Sequence, residues 1–356
     1  MAASTARALE KPARWARFHR PELDVLRFGA FFLVFLHHAL PHASSDYPIW
    51  GFALAGLARA GALGVDLFFT LSAYLITELL LREQTAAGRI DIRKFYARRI
   101  LRIWPLYFFA LLVAAPLMSL YDATDRLPAA HLAGFLLLSG NWACVLWGYP
   151  ASSFSLLWSV SIEEQFYVSW PWLVRSNARR LGVVIGSMIV VACATRVWLA
   201  IAGTEHPGVW CNTLARLDPI AGGALVAWLL HGRTPVLART VRAALLGMGG
   251  VVLLAAGAPG EHAGWGAVWT YPLAALACVV ILYGVLGIRL RSPALEYLGK
   301  ISFGLYVFHA AALRIAEFAP VALLLTVACA AASYRFIETP FLRWKERLAR
   351  VGSRPI

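Results

Sequence analysis

Charge is scarce in this chain and lopsided. Of 356 residues only 15% are charged, and Lys plus Arg outnumber Asp plus Glu by 33 to 19. Cysteine is sparse as well: five, at 144, 193, 211, 278 and 329, with no metal-binding or redox spacing among them. Four of the five lie in or beside apolar runs, which argues against a disulfide framework and offers no thiolate metal site. No internal repeat of the kind common in transporters is visible. What remains is apolar: 60% of residues are hydrophobic and the mean hydropathy is +0.65. That is far above an ordinary soluble domain. Several runs reach the roughly 20 mostly apolar residues a bilayer crossing needs. The composition predicts a polytopic, all-α membrane protein.

A net charge of +14 raises the question of nucleic acid. Its distribution answers against it. Of the 33 basic residues, 26 fall in six clusters, at 7–20, 82–102, 175–180, 233–242, 289–300 and 343–354, each flanking an apolar run. That is the pattern of cytoplasmic loops under the positive-inside rule, with anionic lipid or an anionic ligand as partners. The basic flank before the first apolar run resembles a signal sequence. Polar residues inside that run favour a retained helix.

Eleven apolar runs are present, near 24–41, 61–81, 103–120, 132–147, 155–174, 181–202, 217–231, 243–257, 268–287, 301–316 and 320–339. If the basic clusters share one side, each interval between them holds an even number of crossings. The interval 102–175 offers three, so one does not cross. The run at 132–147 carries Ser, Gly and Asn breakers and is expected to be re-entrant or partly embedded. The expectation is therefore about ten transmembrane helices with both termini cytoplasmic. Outward loops are expected near 42–60, 121–131, 203–216 and 258–267. A basic tail at 1–20, one transmembrane domain at 21–345 and a second basic tail at 346–356 complete the plan.

Ionisable residues inside these runs are costly and stand out. Arg27 and His38 are eleven residues apart, so on a helix they share one face to within about 20° and sit about 16 Å apart along the axis. One helix then offers a cation at its cytoplasmic mouth and an imidazole deeper in, which fits a single ligand channel entered from the cytoplasm. The plainer use is a hydrogen bond from His38 to a neighbouring helix and an Arg27 that snorkels to headgroups. Asp66 and Ser72 lie in "GVDLFFTLSAYLIT", where Asp66 has an equally plain use as an ion-pair partner; Gly61 and Gly64 before them allow close helix approach. Arg98, Arg99 and Arg102 cluster at the expected cytoplasmic start of the third helix, suited either to headgroups or to phosphates gripped through guanidinium forks. Glu163 and Glu164 stand in an aromatic run and project about 100° apart, so one can face a site while the other pairs structurally. His309, Arg335 and Glu338 are further interior candidates.

The order of motifs resembles the acyltransferase-3 family of integral membrane acyltransferases. The resemblance rests on "LDVLRFGAFFLVFLHH", "GVDLFFTLSAYLIT", "FYARRILRIWPLY", "WSVSIEEQFY", "RLDPIAGGALVAW", "ISFGLYVFH" and "FIETP", and it spans about residues 20–345. The family's Arg-x10-His signature falls on Arg27 and His38. Ala73 departs from the Gly more often found there, a local packing change. The resemblance implies transfer of an acyl group, often acetyl from acetyl-CoA, to a hydroxyl of a carbohydrate or a secondary metabolite such as a macrolide. It implies acyl-CoA as co-substrate, no bound cofactor and no metal. Some members carry an extra esterase-like domain; the single-domain type is expected here, in the cytoplasmic membrane.

On that resemblance His38 is the expected general base or acyl carrier, with Glu164 and His309 beside it. Arg98, Arg99 and Arg102 are expected to hold the phosphates of the donor, and Arg27, Asp66, Ser72 and Glu338 to complete the substrate contacts. A transporter of a glycan, lipid-linked or small-molecule substrate is the alternative, since interior His, Glu and Arg also build proton relays.

Overall fold

A computed structural model describes residues 19–40, 50–177, 180–260, 262–289 and 292–347. The expected basic tails fall almost wholly outside the described residues, as does much of the expected loop at 42–60. Among the described residues the fold is all-helical, with no strand.

The first half contains α1 (Pro21–Ala39), α2 (Trp50–Gly61), α3 (Gly64–Ala87), α4 (Ile92–Phe109), α5 (Ala115–Tyr121), α6 (Ala129–Leu136), α7 (Gly140–Trp147) and α8 (Trp158–Asn177). The second half contains α9 (Leu181–Ile201), α10 (Leu217–Leu230), α11 (Arg239–Gly257), α12 (Gly264–Val285), α13 (Pro293–Lys300), α14 (Ser302–Ile315), α15 (Ala319–Ser333) and α16 (Thr339–Arg347).

Local chemistry explains several boundaries. Pro21 opens α1 at a position where its missing N–H costs nothing. The Asp91 carboxylate accepts from Lys94 N at 3.1 Å and caps α4. Glu83 ties the α3–α4 corner by accepting from Asp91 N and from Arg98 Nη2, each at 3.0 Å. One-turn π segments at Ala110–Ala114 and Tyr334–Glu338 join α4 to α5 and α15 to α16 without a break in the helical path.

Among the described residues six helical stretches are long and apolar enough to cross a membrane: Ala53–Ala87, Ile92–Tyr121, Leu181–Ile201, Arg239–Gly257, Gly264–Val285 and Ala319–Lys345. The run at 132–147 is broken into α6 and α7 at Leu138, which takes φ 56°. Each of these helices has eight residues, about 12 Å, well short of a bilayer. Part of the expected outward loop at 42–60 is helical instead. Residues 50–61 form α2 because their small and apolar side chains continue the pattern of α3 across a two-residue turn.

The bundle is inside-out by the standard of a soluble protein. Leu117, Val190, Ile201, Val251, Trp269 and Leu324 are exposed on its outer surface, while Asp66, Arg196 and Arg216 are buried. An apolar exterior of this extent fits a hydrocarbon surround. At its centre, α3 packs against α1, α8, α10 and α12. Glycine permits the closest of these contacts. A Cβ on Gly64 would strike the carbonyl of Ala30 on α1, and one on Gly223 of α10 would strike the Thr70 carbonyl of α3. Gly61 meets Leu33 O in the same way, so the small residues at 61 and 64 do serve close approach.

Candidate functional site

Two cavities lie back to back inside the bundle. The first, about 110 Å³, is lined by Arg27 of α1, Ser72 of α3, Arg99 and Arg102 of α4, Glu163 and Tyr167 of α8, and Ser302 and Tyr306 of α14, among others. Three guanidiniums against one carboxylate make it a positive chamber. Glu163 and Tyr167 are one turn apart, so both reach the same face. The Tyr167 hydroxyl lies 2.9 Å from Glu163 Oε2 and 3.1 Å from Ser72 Oγ. A phenol has one proton; the carboxylate takes it, and the serine hydroxyl completes the chain as donor. The Arg99 guanidinium lies over the Phe95 and Tyr167 rings, at 5.8 and 6.0 Å, and its Nε has no hydrogen-bond partner among the described residues. Arg27 is half-buried and pairs with Asp24 at 3.3 Å.

The second cavity, about 280 Å³, is lined by His37 and His38 of α1, Tyr149 and Ser155 from the connection ahead of α8, Trp158 at the start of α8, His206 and Trp210 between α9 and α10, His262 between α11 and α12, and Tyr306. Behind its wall His309 is fully buried. His309 Nδ1 is 2.7 Å from Tyr306 O, and its Nε2 is 3.3 Å from His38 Nδ1. His38 Nδ1 is also 2.9 Å from Val34 O. A carbonyl can only accept, so His309 carries its proton on Nδ1 and offers a lone pair at Nε2. That in turn sets the proton of neutral His38 on Nδ1, shared between His309 and Val34 O, and leaves its lone pair on Nε2.

Arg27 and His38 therefore do not look into one shared channel. They line separate cavities whose common wall is Val65 and Tyr306. The shared helix face is real, but 16 Å of axial offset leaves room for side chains from α3 and α14 to fill the gap. Tyr306 is held in that wall by hydroxyl contacts to Leu156 O at 2.9 Å and Ser159 Oγ at 2.8 Å.

The other expected residues are distributed as follows. Ser72, Arg99 and Arg102 join Arg27 in the first cavity, whereas Arg98 is turned to Glu83. These arginines sit about two to three turns inside α4 rather than at its start, because the helix begins at Ile92, ahead of the apolar run. Glu163 faces the first cavity; Glu164 is turned away and accepts from Trp104 Nε1 at 3.3 Å. Asp66 lines neither cavity. It pairs with Arg216 at 2.9 Å, both fully buried, and the guanidinium lies 4.3 Å from the centroid of each of the Trp210 and Tyr271 rings. Arg196 pairs with Asp218 at 2.7 Å in the same network. Glu338 is buried in the π turn ahead of α16, outside both cavity walls.

Sequence reasoning missed Tyr167 and Tyr306, whose signal was their spacing: one turn after Glu163, and three residues before His309. It also missed His206, Trp210 and His262, which lie outside any helical period. Burial, then the Arg216 charge, pushes the His262 imidazole down to about 3. Burial also lowers His206 below its ordinary value. Both rings are neutral at pH 7. Among the described residues no three His, Cys, Asp or Glu side chains are grouped so as to hold a metal ion.

An all-helical bundle with an apolar outer surface and ionisable residues around internal cavities defines a multi-pass membrane protein with its candidate site inside the bundle. The chain belongs to the acyltransferase-3 family: residues 20–335 match the family described as an acyltransferase domain. It is similar to the peptidoglycan O-acetyltransferase OatA of Listeria monocytogenes, 29% identical over 67% of this chain and 38% of that protein. YrhL of Bacillus subtilis, named as a candidate peptidoglycan O-acetyltransferase, is 29% identical over 80% of this chain and 51% of its own length. A Staphylococcus aureus protein named as a candidate O-acetyltransferase is 27% identical over 83% and 54%. The chain spans about half the length of the curated relatives it matches. No solved structure matches it.

Proposed function

We propose that this chain is a membrane O-acyltransferase that moves an acyl group, acetyl first, from acyl-CoA to a hydroxyl of a carbohydrate or a macrolide-like acceptor. The observation that carries this reading is the His38–His309 pair, whose contacts set the basic nitrogen of His38 on Nε2. The names of the relatives support an acetyl group and a cell-envelope glycan.

In this reading the positive cavity of Arg27, Arg99 and Arg102 receives anionic groups of the donor near the cytoplasmic face. Glu163, through Tyr167 and Ser72, orients that wall. The acceptor hydroxyl lies at His38 Nε2. His38 takes the hydroxyl proton as the oxygen attacks the thioester carbonyl. The C–S bond breaks, and the departing CoA sulfur takes the proton from His38, which restores the neutral imidazole. A thioester is already activated, so positioning and base catalysis are chemically sufficient. The reading requires Tyr306, the shared wall, to swing aside so that thioester and hydroxyl meet.

The same reading places the chain in the cytoplasmic membrane as one domain at 21–345 with basic cytoplasmic tails. It has ten crossings, the six long stretches joined by α1, α8, α10 and α14. Arg98 and Glu338 are second-line contacts of the donor side, and Asp66 braces the bundle behind the site.

The test is ester formation by purified protein in nanodiscs supplied with labelled acetyl-CoA and a glycan acceptor. Replacement of His38 by Ala removes turnover while the protein stays folded, and retained turnover eliminates His38 from the chemistry. An Arg99→Ala, Arg102→Ala double variant weakens donor binding; unchanged affinity moves the donor site elsewhere. A transporter would give flux and no new ester.

A further inference from the structure

The second cavity holds more recognition chemistry than acyl transfer itself requires. Three separate connections bring rings to the space in front of His38: Tyr149 before α8, His206 and Trp210 before α10, and His262 before α12. Tyr149 and His206 stack nearly parallel, 15° apart in plane with centroids at 5.7 Å, and both are exposed. Rings gathered only to fill a core would be buried. Below them the floor is buried: Trp158 and Trp210 lie 5.4 Å apart, and Trp210 meets His262 at 4.6 Å.

Polar atoms are set between these faces. Buried His262 Nδ1 has no hydrogen-bond partner among the described residues, although its ring lines the cavity. A buried polar nitrogen without a partner is costly, and a ligand hydroxyl would satisfy it. Ser155 and His206 add further hydrogen-bonding groups to the same walls. The imidazoles of His206 and His262 are neutral at pH 7, so each brings one donor and one acceptor and no charge. Flat rings interleaved with neutral donor–acceptor groups match a polyhydroxylated ring, which has C–H faces and hydroxyl edges. A fatty chain or an apolar macrocycle would leave those polar groups unpaired. The volume, about 280 Å³, lies just under the usual range for small-molecule sites, so it suits one ring rather than a chain.

We propose that this cavity is the acceptor subsite and takes a single pyranose ring, with Tyr149 and His206 as its stacking platform and His262 Nδ1 as the partner of one of its hydroxyls. Binding in this pose holds a second hydroxyl of the same ring at His38. The proposal rests on the reading of His38 as the base.

Saturation-transfer NMR on the full chain in nanodiscs, with N-acetylglucosamine as the probe, tests it. Saturation of the ring protons is expected with the unaltered protein. Tyr149→Phe keeps the ring and keeps binding, whereas Tyr149→Leu and His206→Ala weaken it about tenfold. His262→Leu removes the polar partner and weakens binding similarly. Absence of saturation in the unaltered protein, or equal saturation in Tyr149→Leu and Tyr149→Phe, overturns the subsite. Sugar saturation without any ester from labelled acetyl-CoA would instead sink the acyltransferase reading and leave the sugar site standing.

Discussion

His309 Nε2 lies 3.3 Å from His38 Nδ1, and the other His309 nitrogen is anchored at 2.7 Å on the Tyr306 carbonyl. Together with the Val34 carbonyl, 2.9 Å from the same His38 nitrogen, this imidazole leaves Nε2 of His38 as the nitrogen that can act as a base. The residue that closes the wall between the two cavities also supplies the carbonyl that sets this order.

From this relation His309 is expected to act as a positioning residue. His309→Phe removes the acceptor for His38 Nδ1–H and should lower kcat by about 10–100-fold with little change in acceptor KM. His309→Gln, which returns an acceptor oxygen, should recover part of the loss. Equal losses in both variants, or a loss confined to KM, would assign His309 to packing.

The two adjacent carboxylates of α8 should separate in function. Glu163→Gln alters the cavity wall shared with Arg27, Arg99 and Tyr167, and donor KM should rise. Glu164→Gln leaves that wall intact and disturbs only the Trp104 contact. Donor titrations of both variants check this, and a larger donor effect from Glu164→Gln would reverse the assignment.

Helix packing gives a stability pair. Gly223→Ala would drive a methyl into the backbone of α3 at Thr70 and should cost about 1–3 kcal/mol. Gly29 has nothing within 4 Å of its Cβ position, so Gly29→Ala should be neutral or gain up to about 1 kcal/mol from helix propensity. Unfolding of the detergent-solubilised variants, followed by circular dichroism, reads both.

Acid should weaken the second cavity through His262. Its folded value is depressed to about 3 by burial and then by Arg216, whereas the unfolded chain takes up the proton near the ordinary 6.5. The unfolded state therefore binds more protons between these values, and stability falls as pH drops below about 6.5. Between pH 7 and 5 the loss is on the order of 1–2 kcal/mol. His262→Phe cannot take up that proton, so its thermal midpoint should depend less steeply on pH over this range. Identical slopes in the two proteins would show that His262 does not carry the effect.

Much of this was legible in the chain. The membrane class, the broken run at 132–147, the shared face of Arg27 and His38, and the close approach at Gly61 and Gly64 all follow from helical period, length and residue size. These are local properties, set by neighbours within a few turns. The choice between Glu163 and Glu164 was not legible, because adjacent residues differ only in azimuth and only the neighbouring helices give that azimuth a meaning. The ion-pair use of Asp66 was open in the sequence, but not the identity of its partner, because Arg216 is 150 residues away.

By itself, then, the order of amino acids determined that this protein lives in a membrane, to which family it belongs, and on which helices its ionisable residues ride. Only the tertiary structure decided that those residues divide into two cavities with Tyr306 between them, and that three connections spread between residues 149 and 262 meet in front of His38. Periodicity reports which face of a helix a side chain occupies. What that face looks at depends on packing between segments far apart in the chain, and no local pattern encodes it.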